Sequence, residues 1–220
     1  MAIKDAAVIS FSDRHPKPLL EISQPNYNAN LVKASLKLEE SRVIAGLLLE
    51  GVDDAAWQKA ILVDNLLQKR SPSTAKTFAV FIRQRLSLVT PELWCLVRDG
   101  SNVVATQAVL AATIKHSRLL GDFLDLVVRD RLRLFKATLT SKDWDEFIEG
   151  CEARDAHAAD WTPRVVDKLR QNVFRILGEA GYVADTKTLA LQRMTVVPEI
   201  VRYLEENDER YVLRCIQVAA

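Results

Sequence analysis

Residues 102–139 read NVVATQAVLAATIKHSRLLGDFLDLVVRDRLRLFKATL, and two helices are written in them. The first half holds the most apolar stretch of the chain, Val103–Ile114, broken only by Thr106, Gln107 and Thr113. A membrane-spanning helix needs about 20 apolar residues, so the stretch predicts a buried core helix running from Asn102 to Ser117. The second half, Leu119–Leu139, places Leu120, Phe123, Leu124, Val127, Val128 and Leu132 on one broad apolar stripe, with charge on the far side. Within it Arg129-Asp-Arg-Leu-Arg133 mixes both signs at helical spacing, the mark of a salt-bridged solvent face. A helix apolar all round beside an amphipathic one predicts an all-α, multi-helical chain.

Working outward toward the N-terminus, Pro91 opens a short helix through Val97, and Asp99-Gly100 is a turn. Before it, Phe78, Phe81, Ile82, Leu86 and Val89 line the core face of a helix that begins after Pro72, capped by Ser73 or Thr74. An earlier helix is capped by Asp53 or Asp54, carries Trp57, Ile61, Leu62 and Leu66, and ends near Lys69. A helical period also starts at Asn30 and stops at Gly51. Residues 1–29, with Pro16, Pro18 and Pro25 and no sustained period, read as an extended or disordered leader.

Toward the C-terminus, Ser141 begins a helix with Trp144, Phe147 and Ile148 as its apolar side. Residues 150–160 are polar and irregular, which divides the chain into a helical domain at 30–150 and a C-terminal domain at 151–220. Thr162-Pro163 is a cap followed by proline at the first helical position, and Gly181 ends that helix. Thr188–Met194 could be a short strand, Pro198 opens another helix, and Tyr211–Val218 is ambiguous between helix and strand. A helix, then a short strand, has the outline of a winged helix with a minor β component.

The formal net charge of +1 announces no nucleic-acid partner, so the distribution of charge matters more than its sum. Between Asn65 and Pro91 there is no acidic residue, while Lys69, Arg70, Lys76, Arg83 and Arg85 are basic. These charges lie on a helix–turn–helix-shaped segment that breaks at Ser71–Ser73. A helix start opened by Ser71, Ser73 and Thr74 offers backbone N–H groups and a favourable dipole to an anion, and flanking cations would bind phosphate. Lys76, Val80, Arg83 and Ser87 share a face away from Phe78, Ile82 and Leu86. The candidate DNA-binding residues are therefore Lys69, Arg70, Ser71, Ser73, Thr74, Lys76 and Arg83. Set against this is the plain alternative of arginines paired with carboxylates from elsewhere in an ordinary helical pair. The C-terminal part is also basic, with Arg164, Lys168, Arg170, Arg175, Lys187 and Arg193, although a merely solvated face explains that equally well.

Chemistry is sparse. His15, His116 and His157 show no metal spacing, and the chain lacks a P-loop, G-x-G-x-x-G or G-x-S-x-G. No catalytic residue, cofactor or metal is expected. Cys95, Cys151 and Cys215 are few, odd in number and far apart, which suits a reducing cytoplasm and not a disulfide framework. No apolar run follows the charged start, so no signal peptide is expected.

The run Asp64-Asn-Leu-Leu-Gln-Lys-Arg-Ser-Pro-Ser-Thr-Ala-Lys76, followed by Arg83-Gln-Arg-Leu86, resembles the BrxA family, the small component of bacterial BREX phage-exclusion systems. So do Ala112-Thr-Ile-Lys-His-Ser-Arg118, Asp122-Phe-Leu124 and Phe174-Arg-Ile-Leu-Gly-Glu-Ala-Gly-Tyr182, in the same order along the chain. The resemblance implies an all-α, non-enzymatic protein with a helix–turn–helix-like element that binds double-stranded DNA. It also implies partners in that system: a methyltransferase, an ATPase and a phosphatase-like subunit. The alternative is a helical adaptor that assembles the complex without touching DNA directly, through an apolar patch around Trp94 and Leu96 or Tyr203 and Tyr211.

Overall fold

Caps and prolines set the helix starts in the computed structural model, which describes residues 26–218. The helices are α1 (Leu38–Leu49), α2 (Asp54–Gln58), α3 (Pro72–Leu86), α4 (Pro91–Asp99), α5 (Asn102–His116), α6 (Arg118–Asp122) and α7 (Arg129–Arg133). They continue with α8 (Ser141–Glu152), α9 (Ala156–Ala159), α10 (Pro163–Ala180), α11 (Pro198–Glu206) and α12 (Arg210–Ile216). A 3-10 turn covers Asn30–Val32, and wider π turns at Lys59–Val63 and Phe123–Val128 prolong α2 and join α6 to α7. Pro72, Pro91, Pro163 and Pro198 each stand in the first turn of a helix, where no N–H is required of them. Asp53, Ser101 and Thr162 accept from backbone N–H groups as caps, and Thr140 forms a reciprocal capping box with Asp143. Gly51 (φ 63°) and Gly181 (φ 82°) supply the left-handed stops that the sequence placed there.

The apolar stretch quoted above is the central helix. α5 packs against α1, α3, α4, α6, α10, α11 and α12, with Ala108, Val109, Leu110, Ala111, Ala112 and Ile114 buried. Gln107 and Thr113, two of its three polar interruptions, are satisfied. Gln107 donates to Thr195 O (2.9 Å) and accepts from Val197 N (2.8 Å), and the Thr113 hydroxyl donates to Val109 O (2.7 Å). The helix expected over Leu119–Leu139 stops at Arg133, and Phe135 takes a left-handed φ of 55°. Residues 136–139 instead run beside 189–191, with Leu139 N donating to Leu189 O and Leu191 N to Ala137 O.

Among the described residues the β component is two isolated antiparallel bridges, Thr138 to Ala190 and Val183 to Leu191. The ambiguous segment from Tyr211 resolves as α12. The period expected from Asn30 begins as the 3-10 turn, and the regular helix starts only at Leu38, after Lys37 in left-handed geometry. Residues 150–160 hold the end of α8 and the short α9. Of the leader assigned to residues 1–29, residues 1–25 lie outside the described residues, whereas Tyr27 is buried.

One cluster of buried side chains extends from Tyr27 to Val218. Asp122 clasps its edges, accepting from the hydroxyls of Tyr27 (2.9 Å) and Tyr211 (2.8 Å) and from Arg118 (2.9 Å). A methyl on Gly121 would meet the Tyr211 hydroxyl at 2.2 Å, so α12 can approach α6 only over a glycine. No helix among the described residues is long and apolar enough to cross a membrane.

His116, at the end of α5, lies edge-on to Phe81 with its Nδ1 buried and unpartnered. Burial, reinforced by the positive charges of Arg85 and Lys33, pushes its pKa down to about 4. The unfolded imidazole takes up its proton near 6.5, so this group's contribution to stability is intact above that pH. It is lost progressively as the pH falls toward 4. Melting curves of the wild type and His116→Leu should therefore diverge in pH slope between about 6.5 and 4, with the variant less sensitive. Parallel profiles would contradict the assignment.

Candidate nucleic-acid interface

The predicted helix pair is present with different ends. The first member closes at Val63, earlier than the Lys69 expected from sequence. Asp64 to Ser71 forms the connection, eight residues where a helix–turn–helix has three or four. This linker is tied down. Leu67 is buried, and the Asn65 side chain both accepts from Lys69 N and donates to Lys69 O, each at 3.0 Å. Asn65 and Gln68 take left-handed backbone angles that turn the chain toward α3.

The cap of α3 is Ser71, and not Ser73 or Thr74 as the sequence suggested. With Pro72 in the first turn, the Ser71 hydroxyl is placed to accept from Thr74 N (3.2 Å) and pair with the Thr74 hydroxyl (2.8 Å). Ser73 and Thr74 stand exposed in the first turn beside it. Beyond them Lys76, Thr77, Gln84 and Ser87 are exposed around Val80, a largely polar helix face with no acid of its own. Arg70 and Lys76 are solvent-exposed and have no carboxylate partner among the described residues.

The other cations are partly or wholly engaged. Lys69 pairs with Glu40 at 2.7 Å and is largely covered. Burial would raise the Glu40 carboxyl, but the Lys69 ammonium and backbone donors hold it below its ordinary value. Arg83 stacks on Trp57, 4.4 Å from the ring centre, with Asp54 3.8 Å away. Arg85, counted among the basic charges of the segment, is fully buried. Its position on the Ile82–Leu86 side of α3 points it inward, where one terminal nitrogen donates to the carbonyls of Ser35 (3.1 Å) and Leu36 (3.2 Å). It is a structural residue and leaves the surface charge.

Two further cations, missed in the sequence, lie over the aromatic side of α3. Lys37 stands 5.0 Å from the Phe78 ring centre, and Lys33 stands 6.0 Å from that of Phe81. Phe78, expected to face the core, is half-buried with Lys37 and Lys69 over its ring. Lys33 and Lys37 fall outside the acid-free window and reach α3 by the packing of residues 33–37 against its Phe78–Phe81 side, away from the exposed Lys76–Ser87 face. Between α1 and the linker a groove of ≈ 490 Å³ is lined by Glu39, Glu40 and Lys69 beside Val43, Leu66 and Leu67. Among the described residues no cluster of His, Cys, Asp and Glu is arranged to hold a metal.

Of the apolar patch suggested for an adaptor, Tyr203 is buried and Trp94, Leu96 and Tyr211 are half-buried against the core. Trp94 donates to Leu86 O (2.8 Å), the Tyr203 hydroxyl accepts from Thr90 N, and Tyr211 is held by Asp122.

A family model described as BrxA matches residues 25–208. A protein of Paramagnetospirillum magneticum named "BREX protein BrxA" is 52% identical over 198 residues, covering 90% of this chain and all of the relative. One of the same name from Escherichia coli O9:H4 is 34% identical over 188 residues, covering 86% of this chain and 88% of its own. A crystal structure of an uncharacterized protein from Magnetospirillum magneticum superposes with a TM-score of 0.81 at 51% identity, over 88% of this chain and all of that one.

Proposed function

The chain belongs to the BrxA family, and from that premise we propose that it is a non-enzymatic, double-stranded DNA-binding component of a BREX phage-resistance system. It acts there in the cytoplasm beside methyltransferase, ATPase and phosphatase-like subunits. The observation that carries the DNA reading is the exposed face of α3, which bears no acid of its own and where exposed Arg70 and Lys76 flank a capped helix start. Backbone contacts from Arg70, Lys76, Ser73 and Thr74 position the duplex, joined by Arg83 at the edge. Lys69 contributes less, because it must first leave Glu40, and Ser71 acts by holding the helix start in shape.

Mobility shifts with unrelated duplexes across a salt series test this. Binding should be largely independent of sequence, and log K should fall with log salt by about 0.9 for each phosphate neutralised. Arg70→Ala and Lys76→Ala should each flatten that slope by close to one such step, and Lys69→Ala by less. A salt-independent shift, or no shift at low salt, contradicts the proposal.

One observation favours the adaptor as a second reading. Phe135 is 85% exposed and Leu134 57% exposed at the end of α7, more apolar surface than a finished face needs. Co-purification with the other subunits through these residues, together with no DNA shift at low salt, would favour it.

A further inference from the structure

We propose that α10 and the loop behind it form a second phosphate-binding surface for duplex DNA, separate from the α3 face. The proposal rests on the DNA-binding reading above and extends it to residues that reading does not use.

Arg164, Lys168, Gln171 and Arg175 recur at steps of four, three and four, which puts them on one face of α10. All four are exposed, while Leu169, Val173, Ile176 and Leu177 on the other side are buried. The stripe spans about 16 Å along the axis, the rise of about five nucleotides of one DNA strand. Its three cations have no carboxylate partner among the described residues. The acids that could have neutralised them are occupied. Asp167 is held by Arg170 (3.0 Å), and the Glu179 carboxylate accepts from the Ser35 hydroxyl (2.8 Å) and Leu36 N (2.9 Å).

A fourth cation is brought up by the loop after Gly181. Ala184 N donates to Ala190 O and Gln192 N to Tyr182 O, both at 2.8 Å, closing a hairpin-like loop. Asp185 fixes its tip by accepting from Lys187 N (2.7 Å) and Thr188 N (2.8 Å). The tip lies on the last turn of α10, since a methyl on Gly178 would sit 3.4 Å from Thr186 Cγ2. Exposed Lys187 is thereby set next to the end of the stripe, giving a basic helix with a rigid basic loop at its flank. Both surfaces are anchored to the same short segment. Arg85 at the end of α3 and Glu179 at the end of α10 grip Ser35 and Leu36, so the two surfaces keep a fixed relation.

The test is the salt slope of duplex binding by fluorescence anisotropy. It compares the wild type with an Arg164→Gln/Lys168→Gln/Arg175→Gln variant, an Arg70→Gln/Lys76→Gln variant, their combination, and an Arg170→Gln control. Glutamine keeps helix propensity at exposed positions, and matching melting temperatures check the fold. The α10 variant should lower the slope by up to about 2.7, at about 0.9 per contact, in addition to the loss from the α3 pair. The control should leave the slope unchanged. A wild-type slope in the α10 variant, with flattening in the α3 pair, overturns this inference and leaves the first site standing. Flattening only in the α10 variant supports the inference and removes the α3 site. No binding by the wild type overturns both.

Discussion

Arg85→Ala should lower the unfolding free energy by about 3 kcal/mol or more, because it removes a buried charged donor and opens a cavity in a packed helix pair. The guanidinium lies 4.4 Å over the Phe81 ring and is the donor for the otherwise interior carbonyls of Ser35 and Leu36. For a chain of this size that is roughly 6–12 °C in melting temperature. Arg85→Met should recover a substantial part of the loss. It restores the stem's packing and removes the Nε and second terminal nitrogen, both buried without a partner. Urea unfolding of both variants reads the difference, and a wild-type midpoint for Arg85→Ala would contradict the structural role.

Trp144→Ala should cost as much or more, about 3–5 kcal/mol. The indole is fully buried at the centre of an aromatic group, with ring centres of Phe123 at 5.4 Å, Phe147 at 6.0 Å and Phe174 at 6.2 Å. Its Nε1–H is buried with no acceptor. Trp144→Phe should therefore be far milder, under about 1.5 kcal/mol, because lost packing is offset by removing an unsatisfied donor. Equal destabilisation by alanine and phenylalanine would mean that the indole N–H does have a partner in solution. Neither Trp144 variant should change the salt slope of DNA binding beyond the effect of unfolded protein.

These two residues mark where the sequence could and could not be read. Trp144 was placed on the apolar side of its helix by periodicity alone, and the prolines, caps and stop glycines located most helix boundaries for equally local reasons. Arg85 was not legible, because one-dimensional charge counting treats every arginine as surface charge. Its inward position follows from the face it shares with Ile82 and Leu86, and its partners come from residues 50 positions earlier. Lys33 and Lys37 were missed for the converse reason, since their approach to Phe78 and Phe81 depends on packing between distant segments. The ends of α2 and α7 were misplaced where apolar residues continue past the helix. Leu66 and Leu67 belong to a linker held by the Asn65 amide, and Leu134 and Phe135 follow a helix that has already closed. The acid-free window itself survived as an exposed, unpaired face only at Arg70 and Lys76.

Charge reversal at that face tests the central claim most directly. Anisotropy titrations of a labelled duplex at about 0.1 M salt should compare the wild type, Arg70→Glu/Lys76→Glu, and Lys142→Glu/Arg210→Glu as exposed cations elsewhere. The first pair should weaken binding by on the order of a hundredfold or more, from two lost phosphate contacts and added repulsion. The second pair should change it little. Unchanged affinity in Arg70→Glu/Lys76→Glu, with its melting temperature intact, would contradict DNA binding at the α3 face.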